Sequence, residues 1–240
     1  MPEQGRGIGH DWGSALLSRL AILYPERFYG FAFLALYYVP PTTTVFSLEA
    51  VMAQLKESIG NEMLGYWQYF DREDSAEKIC QNIDSFVQLV FPKDPEFWQS
   101  WICPAGKTAE WIEANKQPGR PSYLSEEEYT MIRHNLLASG LSSAQNWYRV
   151  IIRNSNLEDN RKIPESSYKL RKPAFFAAAL KDALGNAAQG KAIMNQYSND
   201  LRVVEFDVGH WVQFEATEKL NKELDTWIEY LMSRTPMQRY

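Results

Sequence analysis

The spacing of apolar positions changes along the chain, and each pattern predicts a different kind of structure. Between residues 14 and 24 the leucines recur at helical spacing and Pro25 follows, which predicts a helix. A continuous apolar run at residues 31–36 has the length of a buried strand, and the segments at 173–179 and 201–206 are also predicted to be buried strands. Both ends of the chain therefore combine strands with helices.

The middle of the chain contains a different pattern. Its apolar positions predict a series of helices at residues 48–58, 62–70, 75–90, 108–116, 125–138 and 142–153. Capping-box spacing at two of the helix starts, in the pairs Asp74/Glu77 and Ser125/Glu128, supports this interpretation. A last amphipathic helix is predicted around Trp227.

Strand and helix segments at both ends of the chain therefore enclose a helical block. This arrangement predicts an α/β fold whose core has parallel strands with flanking helices and is interrupted by an inserted all-helical lid. We expect the first core segment to span residues 1–46, the lid 47–165 and the second core segment 166–240.

Composition narrows the classes of protein that the chain can represent. With 240 residues, 45% of them apolar, it is long enough for one sizeable core or a core carrying an insertion. The net charge of −5 argues against a nucleic-acid partner, and no apolar stretch approaches the roughly 20 residues of a membrane span. The first residues lack the apolar run of a signal peptide, and Cys80 and Cys103 form neither a metal motif nor a disulfide framework. We therefore expect a cytoplasmic protein without a metal or other cofactor.

One short segment combines glycines with a carboxylate at the start of the first helix. Gly9-His10-Asp11-Trp12-Gly13 has the Gly-x-nucleophile-x-Gly pattern of a nucleophile elbow, a sharp turn from strand to helix. Glycines suit this turn because side chains there would collide with neighbouring backbone. The middle residue projects beside the positive end of the helix, so Asp11 is a candidate nucleophile. The alternative interpretation of Asp11 is a helix cap, a role that aspartate fills well.

A nucleophilic aspartate needs a histidine base, and the chain contains three histidines. We expect His10 to point away from Asp11 at the bend, and His134 lies in the predicted lid. His210 follows the strand at 201–206 and precedes the last helix. This position makes His210 the candidate base.

The base in turn needs a carboxylate to orient it. Asp182 follows the predicted strand at 173–179 and gives the chain order nucleophile, acid, histidine. Asp182 is therefore the first choice. Glu205 and Asp207 are disfavoured because they lie close to His210 in the sequence, although Asp207 remains an alternative.

The segments GHDWGSALLSRLAILYPERF and VGHWVQFE resemble α/β-hydrolases with an aspartate nucleophile, namely the epoxide hydrolases and haloalkane dehalogenases. The resemblance extends from the elbow to the C-terminus and includes the lid. It implies that Asp11 displaces a leaving group from an alkyl carbon and becomes an ester. It also implies that His210 activates the water that cleaves this ester, while Asp182 stabilises the imidazolium. The backbone N–H of Trp12 would then hold the oxyanion.

Two lid segments, GYWQYF at 65–70 and NWYR at 146–149, resemble the tyrosine-bearing segments of epoxide hydrolases. The resemblance implies that Tyr66 and Tyr148 donate to the oxygen of a small apolar epoxide, which water converts to a vicinal diol. Tyr69 is a rival to Tyr66. The lid residues expected to line the substrate pocket are Trp67, Phe70 and Trp147.

Two features of this family are missing from the sequence. The strand that enters the elbow is normally an apolar run, but only Ile8 represents one, and there is no His-Gly pair to provide a second oxyanion donor. The chain thus resembles an epoxide hydrolase that lacks its N-terminal part. We expect an unpaired sheet edge, an uncovered apolar face, poor stability and weak or no activity. Two alternative functions remain open, namely a haloalkane dehalogenase-like hydrolase, which the paired tyrosines disfavour, and a non-catalytic truncated remnant. Formation of a homo-oligomer also remains open.

Overall fold

The computed structural model describes residues 4–234. In chain order its strands and helices are β1 (Gly5–His10), α1 (Trp12–Leu23), β2 (Phe28–Leu34), α2 (Leu48–Ile59), α3 (Gly65–Asp71), α4 (Ser75–Gln81), α5 (Ile83–Val90), α6 (Phe97–Trp101), α7 (Lys107–Glu113), α8 (Glu126–Ser139), α9 (Ser142–Ile152), α10 (Leu157–Arg161), β3 (Ala174–Ala179), α11 (Ala187–Tyr197), β4 (Leu201–Phe206), α12 (Val212–Glu215) and α13 (Thr217–Ser233). Between residues 4 and 234 no helix is both long and apolar enough to cross a membrane.

The chain divides into two compact units. Met1–Pro41 and Arg161–Tyr240 together form one unit, which we call the core unit. Thr42–Asn160 form the other, which we call the lid unit. All four strands belong to the core unit, whereas the lid unit is helical.

A four-stranded parallel sheet with the strand order β1-β2-β3-β4 forms the centre of the core unit. Phe175 and Phe176 on β3 point to opposite faces, because side chains alternate along a strand. Phe175 packs in a cluster with Trp227 of α13. Phe176 packs in a second cluster with Leu17 of α1 and Met194 of α11. Helices therefore cover both faces, which confirms the predicted α/β core of parallel strands with flanking helices.

The strand β1 forms one edge of this sheet. Within residues 4–234 it pairs with β2 alone. Ile8 on β1 is 48% exposed, and Leu16 and Leu23 on α1 are 47% and 51% exposed. Apolar surface is thus exposed near this edge, as expected, and the low stability inferred from it stays a prediction.

The helices of the lid unit follow the predicted series, except that one predicted helix is divided into two and one predicted capping interaction is absent. The predicted helix at 75–90 is two helices, α4 and α5, separated at Asn82. Asp74 precedes α4 but makes no capping hydrogen bond, because its carboxylate binds Arg72 and Lys78 instead. The capping box at Ser125 is confirmed, with hydrogen bonds in both directions between this residue and the N3 glutamate.

Four helices were not predicted from the sequence, namely α6, α10, α11 and α12. Three of them have only four or five residues, which is too short for a helical repeat of apolar positions to be visible. The fourth, α11, buries Gly190 and Met194, whereas Ala187, Ile193 and Tyr197 pack against the same cluster and are half-buried.

Candidate active site

Asp11 is the single residue between β1 and α1, so the chain passes from strand to helix within one residue. Its φ of 53° lies in the left-handed region, which is strained for a residue with a side chain. Gly9 makes this sharp turn sterically allowed, because a Cβ at that position would lie 2.4 Å from the carbonyl oxygen of Gly13. The local geometry has the features of an elbow that presents the side chain of Asp11.

The second glycine of the motif and the capping alternative both differ from expectation. A Cβ at Gly13 would meet no atom within 4 Å, so the prediction that collisions require glycine is wrong at this position. Asp11 occupies the N-cap position of α1, yet its carboxylate makes no capping hydrogen bond. Its backbone carbonyl accepts from the N–H of Ser14 at 2.8 Å instead. The carboxylate therefore does not serve as a helix cap.

The imidazole of His210 has a carboxylate on each side. Its Nδ1 is 2.8 Å from Oδ2 of Asp182, and its Nε2 is 3.4 Å from Oδ1 of Asp11. Because an ionised carboxylate only accepts, the Nδ1–H donates to Asp182. The three residues follow β1, β3 and β4, whose carboxyl ends meet at the same edge of the parallel sheet. The structure thus brings together the three residues nominated from the sequence.

Asp182 lies on the turn that follows β3. Its Oδ1 accepts from the N–H of Leu184 at 2.9 Å. Gly185 lets the backbone pass close to the carboxylate, since a Cβ there would lie 2.7 Å from Oδ2. The side chain of Asp182 is fully buried. The turn therefore holds the carboxylate in one orientation toward the imidazole.

The other two carboxylates considered for this role bind lysines. Oδ2 of Asp207 accepts from Nζ of Lys181 at 3.0 Å, and Oε1 of Glu205 accepts from Nζ of Lys191 at 2.5 Å. Both side chains are exposed. Asp182 is thus the carboxylate that hydrogen-bonds to His210.

The charges around His210 favour its protonated form. Burial lowers the pKa of this imidazole, but the charge and hydrogen bond of Asp182 and the charges of Asp11 and Glu215 outweigh burial and raise the pKa to about 9. Burial raises the pKa of Asp182, whereas His210 and the N–H groups of its own turn bring that pKa below its usual value. Both shifts favour an ion pair between His210 and Asp182.

His10 contacts His210. The sequence predicted that His10 points away from Asp11 at the bend, and it did not predict this contact. Its Nε2 is 2.9 Å from the carbonyl oxygen of His210, and the two ring centroids are 4.6 Å apart in an edge-to-face arrangement. A carbonyl oxygen only accepts, so the Nε2 of His10 carries a proton. Burial, with the charge of His210, lowers the pKa of His10 to about 4, which keeps the ring neutral at pH 7.

Within the lid unit, Tyr66 on α3 and Tyr148 on α9 are in ring contact. Their centroids are 5.6 Å apart and their planes are inclined by 80°. Tyr148 also contacts Trp67 at 5.5 Å and Phe70 at 4.9 Å between centroids. Edge-to-face pairs of this kind stabilise a fold by about 0.5–1.5 kcal/mol each beyond their burial. Both candidate donors and two of the predicted pocket residues therefore form one aromatic cluster.

Tyr69 has different surroundings from Tyr66. It is 3% exposed, and the guanidinium of Arg72 lies 5.2 Å from its ring centroid. Its hydroxyl is buried and has no hydrogen-bond partner in the described part of the chain. Burial raises the pKa of Tyr69 to about 12. Trp147, the third predicted pocket residue, is 44% exposed.

The remaining candidates are less informative. Trp12 is the first residue of α1, which places its backbone N–H beside Asp11. His134 is exposed on α8. In the stretch 4–234, no group of three or more His, Cys, Asp or Glu side chains could hold a metal ion.

Glu215 contacts the backbone beside His210, a role that was not predicted. Its two carboxylate oxygens accept from the N–H groups of Gly209 and Trp211. Glu215 belongs to the segment VGHWVQFE that carries the resemblance, which was the available signal. The hydrogen bonds themselves depend on the turn between β4 and α12, so the sequence did not reveal them.

Comparisons with known proteins give consistent results for the fold. A family profile described as alpha/beta hydrolase fold matches residues 7–217. Bifunctional epoxide hydrolase 2 of Sus scrofa is 27% identical over 225 residues, which cover 92% of this chain and 38% of that protein. Epoxide hydrolase srdG of Neurospora crassa is 24% identical over 233 residues, which cover 93% of this chain and 65% of that protein. The chain thus spans less than two thirds of the length of these curated relatives.

Solved structures of epoxide hydrolases are also similar to this chain in fold. Epoxide Hydrolase A from Mycobacterium thermoresistibile is similar with a TM-score of 0.72 at 26% identity, covering 92% of this chain and 68% of that one. An epoxide hydrolase from an endophytic Streptomyces has a TM-score of 0.78 at 22% identity, covering 96% of this chain and 70% of that one. These similarities establish the fold.

Proposed function

Because the chain belongs to the alpha/beta hydrolase fold family, we propose that it hydrolyses an epoxide to a vicinal diol through a covalent ester on Asp11. The observation that carries the proposal is the imidazole of His210, which lies 3.4 Å from Asp11 and 2.8 Å from Asp182. An aspartate at an elbow suits displacement at an alkyl carbon, since the product is an ester that water can cleave. Similarity to proteins named epoxide hydrolase supports an epoxide as the electrophile.

The first step forms the ester. A carboxylate oxygen of Asp11 attacks one ring carbon, the carbon–oxygen bond of the ring breaks, and its electron pair moves to the ring oxygen. Tyr66 and Tyr148 donate hydrogen bonds to that oxygen, and one of them transfers its proton. Their contact within one aromatic cluster supports a shared role. Phenols suit this role because they stay protonated at neutral pH and still donate strongly to an alkoxide.

The second step hydrolyses the ester. Nε2 of His210 takes a proton from water as the oxygen of that water attacks the carboxyl carbon of Asp11. The N–H of Trp12 donates to the oxyanion, and Asp182 stabilises the imidazolium. The bond between the carboxyl carbon and the alkyl oxygen then breaks, and the leaving diol takes the proton from His210. The carboxylic acid that this step leaves on Asp11 gives up its proton, which returns through solvent to the phenolate left by the first step, so that the carboxylate and the phenol are both regenerated.

Formation of the ester also prepares the base. The negative charge of Asp11 is one of the charges that raise the pKa of His210. Esterification removes this charge, so the pKa of His210 falls and a larger fraction of the imidazole is neutral. A neutral imidazole is the form that accepts a proton from water. The nucleophile and the base thus become active in sequence.

The proposal also includes the substrate pocket and the rate of hydrolysis. Trp67, Phe70 and Trp147 provide apolar surface that suits an aryl or alkyl epoxide. The chain contains no His-Gly pair, the form in which the resemblance expects a second oxyanion donor. Loss of one such donor slows turnover by about 10²–10³-fold. We therefore expect slow hydrolysis by the chain as given.

A single turnover in ¹⁸O-water tests the ester. The purified chain, in excess over styrene oxide, reacts once in ¹⁸O-water and is then digested. Mass spectrometry measures the mass of the peptide that contains Asp11. We expect ¹⁸O in the carboxylate of Asp11 and none in the diol, because water attacks the carboxyl carbon. Label in the diol alone would mean direct attack of water on the epoxide and would refute the ester.

Two controls accompany this experiment. The variant Asp11→Ala has no carboxylate at the elbow, so its peptide should gain no label and no diol should form. A panel of bromoalkanes tests the leaving group, and halide release without diol formation from epoxides would favour a dehalogenase instead.

A further inference from the structure

Side chains as well as backbone hydrogen bonds hold the loop that carries His210. It connects β4 to the four-residue helix α12. Oε2 of Glu215, the last residue of α12, accepts from the N–H of Gly209 at 2.8 Å. Oε1 of the same carboxylate accepts from the N–H of Trp211 at 3.0 Å. One carboxylate thus binds the peptide groups on both sides of His210.

The carbonyl of His210 is held as well. It lies 2.9 Å from the Nε2 of His10, which donates to it. Gly209, His210 and Trp211 therefore each have a backbone group bound by a side chain from outside the loop. The direction of the imidazole follows from this backbone, because His210 has few rotatable bonds between its Cα and its ring.

A small displacement of this backbone changes the position of the imidazole of His210 in the site. The 2.8 Å hydrogen bond to Asp182 and the 3.4 Å approach to Asp11 use opposite nitrogens of one ring. A rotation that shortens one of these distances therefore disturbs the other. A misplacement of about 1 Å lowers the rate of a positioned reaction by about 10²-fold.

We infer that Glu215 is a positioning residue. By binding the N–H groups of Gly209 and Trp211, its carboxylate orients the imidazole of His210 between Asp182 and Asp11. The effect on catalysis rests on the proposed hydrolysis, whereas the effect on the imidazole does not. Glu215 does not touch the reacting atoms in this assignment.

The variant Glu215→Gln tests the inference, with Glu218→Gln as the matched control. Glutamine keeps one oxygen that accepts, but its NH₂ group cannot accept from the second N–H. Glu218 lies exposed in the first turn of α13, so its substitution removes the same charge without touching the loop. Hydrogen bonds to charged groups contribute enough that we expect kcat to fall about tenfold or more in Glu215→Gln. KM should change little, and the ester on Asp11 should accumulate. Glu218→Gln should behave as the unaltered chain.

A proton NMR measurement without substrate separates the inference from the proposed function. The Nδ1–H of His210 bonded to Asp182 should give a low-field signal in the unaltered chain and in Glu218→Gln. In Glu215→Gln this signal should shift or broaden, because the imidazole is no longer held at one distance from Asp182. Such a change supports the inference even if no epoxide is hydrolysed, in which case only the proposed function fails. An unchanged signal, with kcat also unchanged wherever activity is measurable, overturns the inference.

If Glu215→Gln does not fold, the unaltered chain provides the test. The amide proton shifts of Gly209 and Trp211 should titrate together, with the same midpoint as the carboxyl carbon of Glu215. Amide shifts that stay constant through that titration would mean that the carboxylate does not bind the loop, and the inference would be wrong.

Discussion

The core unit and the lid unit hold their candidate site residues by different means. In the core unit, Asp11, Asp182 and His210 lie on loops after strands, and a hydrogen bond between charged groups holds His210 against Asp182. In the lid unit, Tyr66 and Tyr148 lie on helices and are held in a cluster of aromatic rings.

The difference between the units has consequences for substitutions. A charge-assisted hydrogen bond requires particular atoms at particular distances, and a buried charge left without its partner is strongly destabilising. Ring packing instead depends on shape, which phenylalanine largely preserves when it replaces tyrosine. Changes in the core unit should therefore stop a step of the reaction, whereas changes in the lid unit should slow it by degrees.

The largest expected effect is that of His210→Gln. The ester should still form, because Asp11 is intact, but its hydrolysis should stop. Turnover should fall by about 10⁴-fold or more, as is typical when a catalytic base is removed. Mass spectrometry of the chain mixed with styrene oxide should show an adduct of one substrate on Asp11. Steady turnover with no adduct would contradict the role of His210.

The next largest effect concerns the lid unit. Tyr66→Phe and Tyr148→Phe should each slow ester formation, and the double variant should lose about 10²–10⁴-fold, the usual contribution of general acid catalysis. Pre-steady-state kinetics with styrene oxide would measure the loss, and an unaffected double variant would exclude both tyrosines as donors.

Tyr69→Phe is the matched control for the two lid tyrosines. The hydroxyl of Tyr69 is buried without a hydrogen-bond partner among residues 4–234. Its removal should leave the rate unchanged and leave stability equal or higher, because an unsatisfied buried group is unfavourable. A loss of rate as large as that of Tyr66→Phe would instead favour Tyr69 as a donor.

A pair of glycine substitutions tests the rigidity of the elbow in the core unit. Gly9→Ala places a Cβ 2.4 Å from the carbonyl oxygen of Gly13, so we expect a loss of about 2–4 kcal/mol in the free energy of unfolding. Gly13→Ala meets open space within α1 and should raise stability by about 0.5–1 kcal/mol. Urea denaturation followed by fluorescence measures both. Equal effects would mean that the turn is less constrained than its geometry indicates.

A further expected effect is a dependence of stability on pH. The pKa of His210 is about 9 in the folded chain and 6.5 in an unfolded one. The raised pKa stabilises the fold fully below pH 6.5, and this contribution is lost as the pH rises through 9. Urea denaturation at several pH values should show the decline in the unaltered chain and a flatter profile in His210→Gln. A rise in stability over the same range would contradict the ion pair.

Much of the fold and part of the site were predictable from sequence. The predicted strand at 173–179 is the fully buried strand β3, because a parallel strand covered on both faces is apolar throughout. The segment at 201–206 is the strand β4 as predicted, but only Phe206 in it is buried, so the expectation of a buried strand is wrong there. The chain order of nucleophile, acid and histidine was predicted from the strands after which Asp11, Asp182 and His210 lie. The helix boundaries around Asn82 and the failed cap at Asp74 were not predictable, because side-chain pairing with Arg72 replaced the local hydrogen bond.

The sequence alone determined the alternation of strands and helices and the candidate residue types, because these depend on local spacing and on the chemistry of single side chains. Tertiary structure decided which of Asp182 and Asp207 binds His210, and it brought His10 to a residue 200 positions away. It also decided that Glu215 binds the peptide groups beside the imidazole. A hydrogen bond depends on distances of about 3 Å and on direction, and the folded backbone alone specifies these between distant parts of the chain.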